Sequence, residues 1–431
     1  MFTTRSRPAG RLKLGDFLRE TVLIHFSGHD HPGQTTVLTG ILADYDACVL
    51  DIGQAVVHET LALGLLIEVP EGRDFAPLKA ALIERSEAVG LHVRFTPISE
   101  QALDHWISSQ GKDRFIITVL GRAVSARQLS RVSAIIAAHR LNIDRIERLS
   151  GRLSLAIHTD SSNACVELEV SGQVASEDGM RADFLAAAQE LGIDLAFQRE
   201  SIYRRNRRLF AFDMDSTLIQ GEVIDELAKM AGVGDRVAGI TESAMRGEIE
   251  FQESFRRRVA LLQGLPEARV LELIGRIPLA EGAERLIGTL KVLGYKTAIL
   301  SGGFTFFARH LQARFGIDYV YANELETEAG AVTGRVSGRI IDGPGKAELL
   351  RQIAAQERIS LEQVVAVGDG ANDLPMLNLA GMGIAFRAKP LVRQSADHSL
   401  THLGLDGLLY LIGVRDRDLV GMEHSGAVAT V

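Results

Sequence analysis

The fold is decided by the stretch Leu209-Phe210-Ala211-Phe212-Asp213-Met214-Asp215-Ser216-Thr217, in which four apolar residues lead into two aspartates. A short apolar run of this kind is typical of a buried strand in a parallel sheet. Three similar runs follow at Lys296–Leu300, Val364–Val367 and Gly383–Phe386, with amphipathic helical segments between them. From Arg208 onward the sequence therefore predicts an α/β fold with a doubly wound parallel sheet.

Polar residues follow three of these strands directly. Asp213–Thr217 follow the first, Ser301-Gly302-Gly303 the second, and Gly368-Asp369-Gly370-Ala371-Asn372-Asp373 the third. Ligands bind beyond the carboxyl ends of the strands in open α/β sheets, so we expect these segments to form one pocket. Lys346, at the start of a predicted helix Lys346–Gln356, is expected to join them.

Four carboxylates would meet in this pocket: those of Asp213, Asp215, Asp369 and Asp373. Two such charges 4 Å apart repel by roughly 4 kcal/mol at an effective dielectric constant near 20, which a fold tolerates where a cation binds. Oxygen ligands without histidine or cysteine favour magnesium over zinc. Taken singly, each group has a simpler interpretation. Asp-x-Asp and Ser-Gly-Gly are usual in turns and caps, and an isolated Lys346 would be solvated.

Between the first two strands lie roughly 80 residues with helical patterning, too many for a simple crossover. We predict that the central part of this stretch, at about residues 222–277, forms a helical cap over the sheet within a domain spanning residues 208–414. The tail at residues 415–431 has no counterpart among the motifs, and no function is assigned to it.

The order of these motifs resembles the haloacid dehalogenase-like phosphatase superfamily over about Arg208–Leu411: Asp-x-Asp-x-Thr, then Ser, then Lys, then Gly-Asp-Gly-x-Asn-Asp. The resemblance implies that Asp213 is the nucleophile and forms an aspartyl-phosphate. It implies that Asp215 protonates the leaving oxygen and later deprotonates the hydrolytic water.

The same resemblance implies the roles of the surrounding groups. Asp213, Asp369 and the backbone carbonyl of Asp215 would bind Mg²⁺, with Asp373 supporting the metal shell. Phosphoryl oxygens would be held by Ser301, by Gly302 and neighbouring backbone N–H groups, and by Lys346, which also neutralises charge on Asp213.

Within this superfamily the chain most resembles the phosphoserine phosphatases. The resemblance lies in Asp213–Glu222, in Met245-Arg246-Gly247 followed by Phe251 and Arg256–Val259, and in Ser301–Phe304. It implies hydrolysis of phosphoserine, with Glu222 binding the substrate ammonium, Arg258 its carboxylate, and Asn372 a further substrate contact. The alternatives are a first-turn acid that favours the helix dipole for Glu222 and a solvated helix face for Arg258.

Two segments of order βαββαβ precede this domain, at residues 19–97 and 112–200, and resemble ACT domains. The first contains Gly28-His29-Asp30-His31-Pro32-Gly33. Its backbone N–H groups at a helix start could meet a carboxylate, and Asp30 an ammonium. We therefore predict that serine or a similar amino acid binds at Asp30 and Gly33 across a homodimer contact. The second segment has Gly121-Arg122-Ala123-Val124-Ser125 there, a degenerate loop expected to be structural or dimerising.

Composition narrows the remaining possibilities. The net charge of −8 argues against nucleic-acid binding. No apolar run approaches the ~18 residues of a membrane span. The basic segment Met1–Glu20 is not followed by the apolar region of a signal peptide, and we expect it to be a solvated tail rather than a targeting signal. The protein is predicted to be cytoplasmic. We interpret Cys48 and Cys165 as buried, inert thiols, and the arginines at positions 204, 205, 207 and 208 as a solvated linker.

Two other functions stay open at this point. One is hydrolysis of a different ester, such as phosphothreonine, a sugar phosphate or a phosphoprotein, by the same chemistry. The other is an amino-acid-sensing regulator that carries an inactive phosphatase scaffold. The second predicts a damaged motif, whereas all four motifs are intact in this sequence.

Overall fold

The computed structural model describes residues 20–70, 72–108, 111–152 and 163–423. The predicted amino-terminal tail therefore lies almost wholly outside the described residues. The chain divides into two compact units, of which the first ends at Gly111 and the second begins at Lys112. None of the helices in the described ranges has both the length and the apolar character needed to cross a membrane.

The first unit contains the first repeat, an antiparallel sheet in the order β2-β3-β1-β4. Its elements are β1 (Glu20–His29), α1 (Gln34–Asp44), β2 (Cys48–Val57), β3 (Thr60–Val69), α2 (Phe75–Ala88), β4 (Leu91–Ile98) and a following helix α3 (Glu100–Ser108). Alternate residues of β1, among them Ile24 and Phe26, pack against Leu38 of α1 and Leu78 of α2. This agrees with the predicted order βαββαβ.

The second repeat has the same topology, with strand order β6-β7-β5-β8. Its elements are β5 (Arg114–Gly121), α4 (Ala126–Ala138), β6 (Asn142–Arg148), β7 (Ala164–Ser171), α5 (Glu177–Leu191) and β8 (Asp194–Arg199). Strand β6 was not predicted, because its sequence Asn-Ile-Asp-Arg-Ile-Glu-Arg is mostly polar and lies at the exposed edge of the sheet.

The α/β domain occupies the rest of the second unit. Its sheet has the order β12-β11-β10-β9-β13-β14-β15 and is parallel except for the β11–β12 pair. The strands are β9 (Leu209–Phe212), β10 (Lys296–Phe304), β11 (Tyr319–Glu328), β12 (Ala331–Ser337), β13 (Val364–Gly368), β14 (Met382–Phe386) and β15 (His398–Leu400). All four predicted strands are present, and β9, the strand that precedes Asp213, is central.

Helices cover the sheet and form the predicted cap. The cap contains α6 (Val223–Met230), α7 (Gly234–Met245), α8 (Phe251–Ala260) and α9 (Glu267–Glu272). The other helices are α10 (Ala283–Val292), α11 (Thr305–Phe315), α12 (Gly343–Gln356), α13 (Leu374–Leu377), α14 (Pro390–Ser395), α15 (Leu408–Leu411) and α16 (Asp416–Glu423). Helix α12 begins three residues earlier than predicted, which places Lys346 near the end of its first turn.

The second repeat and the α/β domain share one hydrophobic core, to which the second repeat contributes Leu120, Cys165 and Ala196. The carboxylate of Asp194 accepts hydrogen bonds from three successive backbone N–H groups, at residues 401, 402 and 403, over 2.6, 2.8 and 3.1 Å. These contacts fix the first residue of β8 to the loop that follows β15.

Two predictions, one about the arginines before the α/β domain and one about the two thiols, are wrong in part. Arg204 and Arg207 are buried rather than solvated: Arg204 pairs with the buried Glu167, and Arg207 donates to the carbonyl of Glu362. Arg205 and Arg208 are exposed, as predicted, so the segment between the second repeat and the α/β domain is buried only at Arg204 and Arg207. Of the two thiols, Cys165 is buried as expected, but Cys48 is exposed on the edge strand β2.

Candidate active site

Asp213, Lys346 and Asp373 form the buried centre of the site. Asp213 follows β9, and its backbone N–H donates to the carbonyl of Val367 on β13 over 2.9 Å, which fixes it at the strand end. The Nζ atom of Lys346 lies 2.8 Å from Oδ1 of Asp213 and 2.6 Å from Oδ1 of Asp373. Lys346 is wholly buried, so these two carboxylates compensate its charge.

The loop after β13 carries two carboxylates of the site, those of Asp369 and Asp373. Oδ2 of Asp373 accepts hydrogen bonds from the backbone N–H groups of Asp369 (3.1 Å) and Gly370 (2.9 Å), which folds the loop into a tight turn. Oδ1 of Asp369 accepts from the hydroxyl of Thr217 over 3.3 Å. This hydrogen bond joins the loop after β9 to the loop after β13.

Asp215 connects the core of the domain to the cap. Its Oδ1 accepts from the N–H of Val223 over 2.8 Å, so the carboxylate holds the first residue of cap helix α6. A side chain at Gly303 would bring its Cβ within 2.2 Å of Oδ2 of Asp215. Only glycine therefore lets the loop after β10, with Ser301 and Gly302, lie against this carboxylate.

Burial and mutual repulsion raise the pKa values of these acids. Burial raises the pKa of Asp213 well above its usual range, Asp373 adds to the shift, and Lys346 opposes it. Burial and then Glu222 raise the pKa of Asp215 to about 8, and burial and then Asp373 raise that of Asp369 to about 7. Burial acts to lower the pKa of Lys346, but Asp213 and Asp373 outweigh it, so Lys346 is firmly protonated.

The acidic cluster fits a divalent cation. Asp213, Asp369 and Asp373 each offer a carboxylate oxygen, and these oxygens lie within 4.8 Å of one another. The donor set is all oxygen, which suits a hard divalent cation. One lysine does not balance the charge of four neighbouring carboxylates, and a bound cation would supply the missing positive charge.

The residues predicted to bind the substrate are less buried than this centre. Glu222 is exposed at the start of α6, and its Oε1 accepts from the hydroxyl of Ser216 over 3.3 Å. Arg258 on α8 is half-buried; burial lowers its pKa, whereas the nearby Glu222 and Asp225 oppose this shift. Both residues belong to the cap, and they are near enough for the charge of each to shift the pKa of the other, although no ion pair joins them within the described residues.

Ser301 and Asn372 occupy different parts of the site. The Oγ atom of Ser301 is buried and accepts from the N–H of Gly303 over 2.9 Å, so it stiffens the loop after β10. Asn372 is half-buried in the loop after β13, and its backbone carbonyl lies against Gly343 at the start of α12. A side-chain contact from Asn372 to the acidic cluster is not among the contacts of the described residues.

Sequence reasoning missed two supporting contacts. The amide of Asn323 on β11 donates to the carbonyl of Gly302 and accepts from the N–H of Ile341, both over 2.8 Å. Gln252 on α8 donates to Asp342 over 2.7 Å, and Asp342 caps the N-terminus of α12. No local pattern could have revealed Asn323. Asp342 before Gly-Pro-Gly is a recognisable cap signal.

Comparison with known families agrees with this architecture. The haloacid dehalogenase-like hydrolase family matches residues 210–378, and ACT domain families match residues 20–96 and 114–198. The fold class predicted from the sequence is therefore confirmed, and the two repeats are ACT domains.

Similar proteins of comparable length carry one description. The chain is 40% identical over 400 residues to phosphoserine phosphatase SerB2 of Mycobacterium tuberculosis, which covers 91% of this chain and 93% of that protein. It is 41% identical over 396 residues to a phosphoserine phosphatase of Streptomyces coelicolor, covering 91% and 92%.

Two solved structures have a similar fold. A haloacid dehalogenase family hydrolase from Salmonella enterica serovar Typhi superposes with a TM-score of 0.60 at 30% identity, over 69% of this chain and 98% of that one. A probable phosphoserine phosphatase from Vibrio cholerae, in its unliganded form, gives 0.55 at 31% identity, over 73% and 90%.

Proposed function

Because this chain belongs to the phosphoserine phosphatase family, we propose that it hydrolyses O-phospho-L-serine to L-serine and phosphate, the last step of serine biosynthesis. The observation that carries this proposal is the buried contact of Lys346 with Asp213 beside two further carboxylates. A carboxylate can attack an anionic phosphate ester only where positive charge has been placed beside it.

The first half of the proposed reaction joins phosphate to the protein. Lys346 and the N–H of Met214, each 2.8 Å from Oδ1 of Asp213, orient that carboxylate. An oxygen of Asp213 forms a bond to phosphorus while the bond from phosphorus to the serine oxygen breaks. Asp215, whose pKa is raised to about 8, donates its proton to the departing serine oxygen.

The second half releases phosphate. A water molecule attacks phosphorus, Asp215 accepts its proton, and the bond between Asp213 and phosphorus breaks. Ser301, Gly302 and Lys346 would hold the phosphoryl oxygens in both halves. Mg²⁺, held by Asp213, Asp369 and the carbonyl of Asp215 with Asp373 behind them, would offset negative charge on the phosphoryl group.

The cap would select the ester. In this proposal Glu222 binds the ammonium group of phosphoserine, Arg258 binds its carboxylate, and Asn372 makes a further contact. Support comes from Arg258, which is half-buried on α8 with its charge close to those of Glu222, Asp225 and Asp215. A guanidinium group can bind a substrate carboxylate through two charge-assisted hydrogen bonds.

The proposal extends to the first ACT domain. Serine or a similar amino acid would bind at Asp30 and Gly33, and two chains would pair through ACT domains. The edge strand β2 supports pairing, because its apolar residues Val49, Ile52 and Val57 are exposed. As working boundaries we propose residues 19–97 and 112–200 for the ACT domains and 208–414 for the phosphatase domain.

The test compares esters and metal content on the full chain. We expect phosphate release from phosphoserine to require added Mg²⁺, to stop with a chelator, and to exceed release from glucose 6-phosphate by at least about 100-fold, since sites built to hydrogen-bond polar groups discriminate by about 10⁴-fold or more. Asp213→Asn should abolish turnover and leave the circular dichroism spectrum unchanged. Faster hydrolysis of glucose 6-phosphate, or substantial activity of Asp213→Asn, would contradict the proposal.

A further inference from the structure

The loop of the second ACT domain that corresponds to the Asp30–Gly33 loop of the first makes contacts with the α/β domain. Arg122 in this loop forms an ion pair with Glu281, and its Nη1 donates to Asn163 over 3.1 Å. Asn163 in turn donates to Asp406 of the α/β domain over 3.0 Å. The loop that could bind a small ligand in the first repeat therefore contacts the α/β domain of the same chain in the second repeat.

Glu281 lies at the point where the chain leaves the cap and returns to the sheet. The outgoing segment Leu218–Gln220 and the returning segment Pro278–Ala280 pair with each other. Gln220 N donates to the carbonyl of residue 278 and residue 280 N to the carbonyl of residue 218, both over 2.9 Å. These two segments, here called the cap crossing, connect the cap to the sheet. Glu281 is the next residue, and its carbonyl accepts from the N–H of Leu405 over 2.7 Å.

Two arginines from different parts of the unit hold the Glu281 side chain. Oε1 pairs with Arg122 of the second ACT domain, and Oε2 lies 2.5 Å from Nη2 of Arg387, which follows β14. All three side chains are more than one third exposed, so the cluster adds little to global stability. The cluster instead determines the position of the returning segment, because it fixes the point about which that segment can turn.

The cap crossing leads directly to the reacting groups. Leu218 N donates to the carbonyl of Met214 over 2.9 Å, and the preceding residue Thr217 donates its hydroxyl to Asp369. If the returning segment shifted, its backbone hydrogen bonds to the outgoing segment would move Leu218 as well. That movement would be transmitted to the loop that carries Asp213 and Asp215.

We propose that Arg122 is a positioning residue, which holds the cap crossing in place through Glu281. The cap can then close over the bound phosphate ester in the correct orientation. The second ACT domain then serves cap closure and takes no ligand at this loop. The inference rests on the proposed function only in that an ester is bound beneath the cap.

The test uses Arg122→Ala with Arg131→Ala as the matched control, since Arg131 pairs with Glu190 on the exposed surface of the same domain. We expect Arg122→Ala to raise KM for phosphoserine about 3- to 10-fold, with kcat within about twofold, the range of couplings found for residues that contact no ligand. Arg131→Ala should leave both values unchanged. Arg122→Lys should recover part of the loss, because it keeps the charge.

Two further measurements separate positioning from stability and from the choice of ester. Hydrogen–deuterium exchange at residues 218–222 and 277–281 should be faster in Arg122→Ala, a readout that needs no substrate, while the melting temperature stays within about 2 °C of wild type. Arg122→Ala combined with Glu281→Gln should be no worse than Glu281→Gln alone, because Arg122 acts through Glu281, whereas Glu281 also pairs with Arg387.

Additive effects of the two substitutions would overturn the proposal. So would exchange and KM equal to those of Arg131→Ala, or a loss of activity explained by a fall in melting temperature. If phosphoserine is not hydrolysed, exchange still tests Arg122, and p-nitrophenyl phosphate replaces phosphoserine in the kinetic arm.

Discussion

Asp369 illustrates how the same carboxyl groups serve chemistry and oppose folding. Burial holds its pKa at about 7, whereas the unfolded chain has an ordinary value of about 4. Between these values the folded protein binds a proton that the unfolded chain has lost, so stability falls as pH rises from 4 to 7. A cation beside the carboxylate would reverse this loss.

We therefore expect Asp369→Asn to stabilise the metal-free protein. At pH 8 the free energy of unfolding should rise by on the order of 2 to 4 kcal/mol, because the pKa of Asp369 differs by about three units between the folded and unfolded protein. This gain should become smaller toward pH 5. Melting curves with a chelator, with Asp235→Asn as an exposed control, would measure it. Added Mg²⁺ should raise the melting temperature of wild type but hardly that of Asp369→Asn. A lower melting temperature of Asp369→Asn in the chelator at pH 8 would contradict this reasoning.

Arg258 gives a second prediction at the level of one side chain. Arg258→Ala should raise KM for phosphoserine by about 10- to 100-fold, since a hydrogen bond between charged groups is worth about 1.5 to 3 kcal/mol. Hydrolysis of p-nitrophenyl phosphate, which has no carboxylate, should change less than about threefold. Arg257, one residue earlier, pairs with Glu253 on the exposed face of α8, so Arg257→Ala is the matched control. Equal losses on both esters would remove the assigned role.

Among the elements, helix α12 is where capping and catalysis meet. Oδ1 of Asp342 accepts from the N–H of Gly345 over 2.9 Å, and its Oδ2 accepts from Gln252 of the cap over 2.7 Å. The next residue along this first turn is Lys346. The N-cap of α12 thus sets the position of the lysine that holds Asp213, and α8 of the cap over the sheet donates a hydrogen bond to the same aspartate.

We expect Asp342→Ala to cost about 1 kcal/mol of stability, as the loss of an N-cap usually does, and to lower kcat as well because Lys346 is less well held. Asp342→Asn should restore most of both, since asparagine also caps. Asp74, which caps α2 through Ala76, provides the control: Asp74→Ala should lower stability without changing kcat. An unchanged kcat in Asp342→Ala would show that the cap does not position Lys346.

The elements also show how far the sequence could be interpreted. β9, β10 and β13 were predictable because each apolar run ends in a polar motif, and parallel strands bring such ends to one edge. Strand β6 and the contacts of Asn323 were not, because they depend on partners distant in sequence. The burial of Arg204 and Arg207 was missed for the same reason. A run of arginines is usually solvated, and only the packing of two domains on each other supplies Glu167 and the carbonyl of Glu362.

At the scale of the whole molecule, the two ACT domains have diverged in what their corresponding loops contact. In the first, Gln34 is buried and its amide donates to the carbonyls of His29 and Val89, while its Oε1 accepts from the N–H of His31. Gly33 has a φ of 93°, a conformation that favours glycine. The loop around Asp30 is thus held in shape before any ligand binds. In the second, Arg122 already engages Glu281.

This difference predicts the stoichiometry of amino-acid binding. Calorimetry with serine or glycine should show saturation at one ligand per chain, because of the two corresponding loops the one around Asp30 carries an acid to meet an ammonium, whereas the one around Arg122 is engaged with Glu281. Asp30→Ala should abolish the heat, whereas Asp46→Ala, at an exposed ion pair with Arg73 of the same domain, should not. Arg122→Ala should not create a second site, because its loop still lacks an acid to meet the ammonium. Two sites per chain, or heat that survives Asp30→Ala, would place the effector elsewhere, and no heat with any amino acid would remove it.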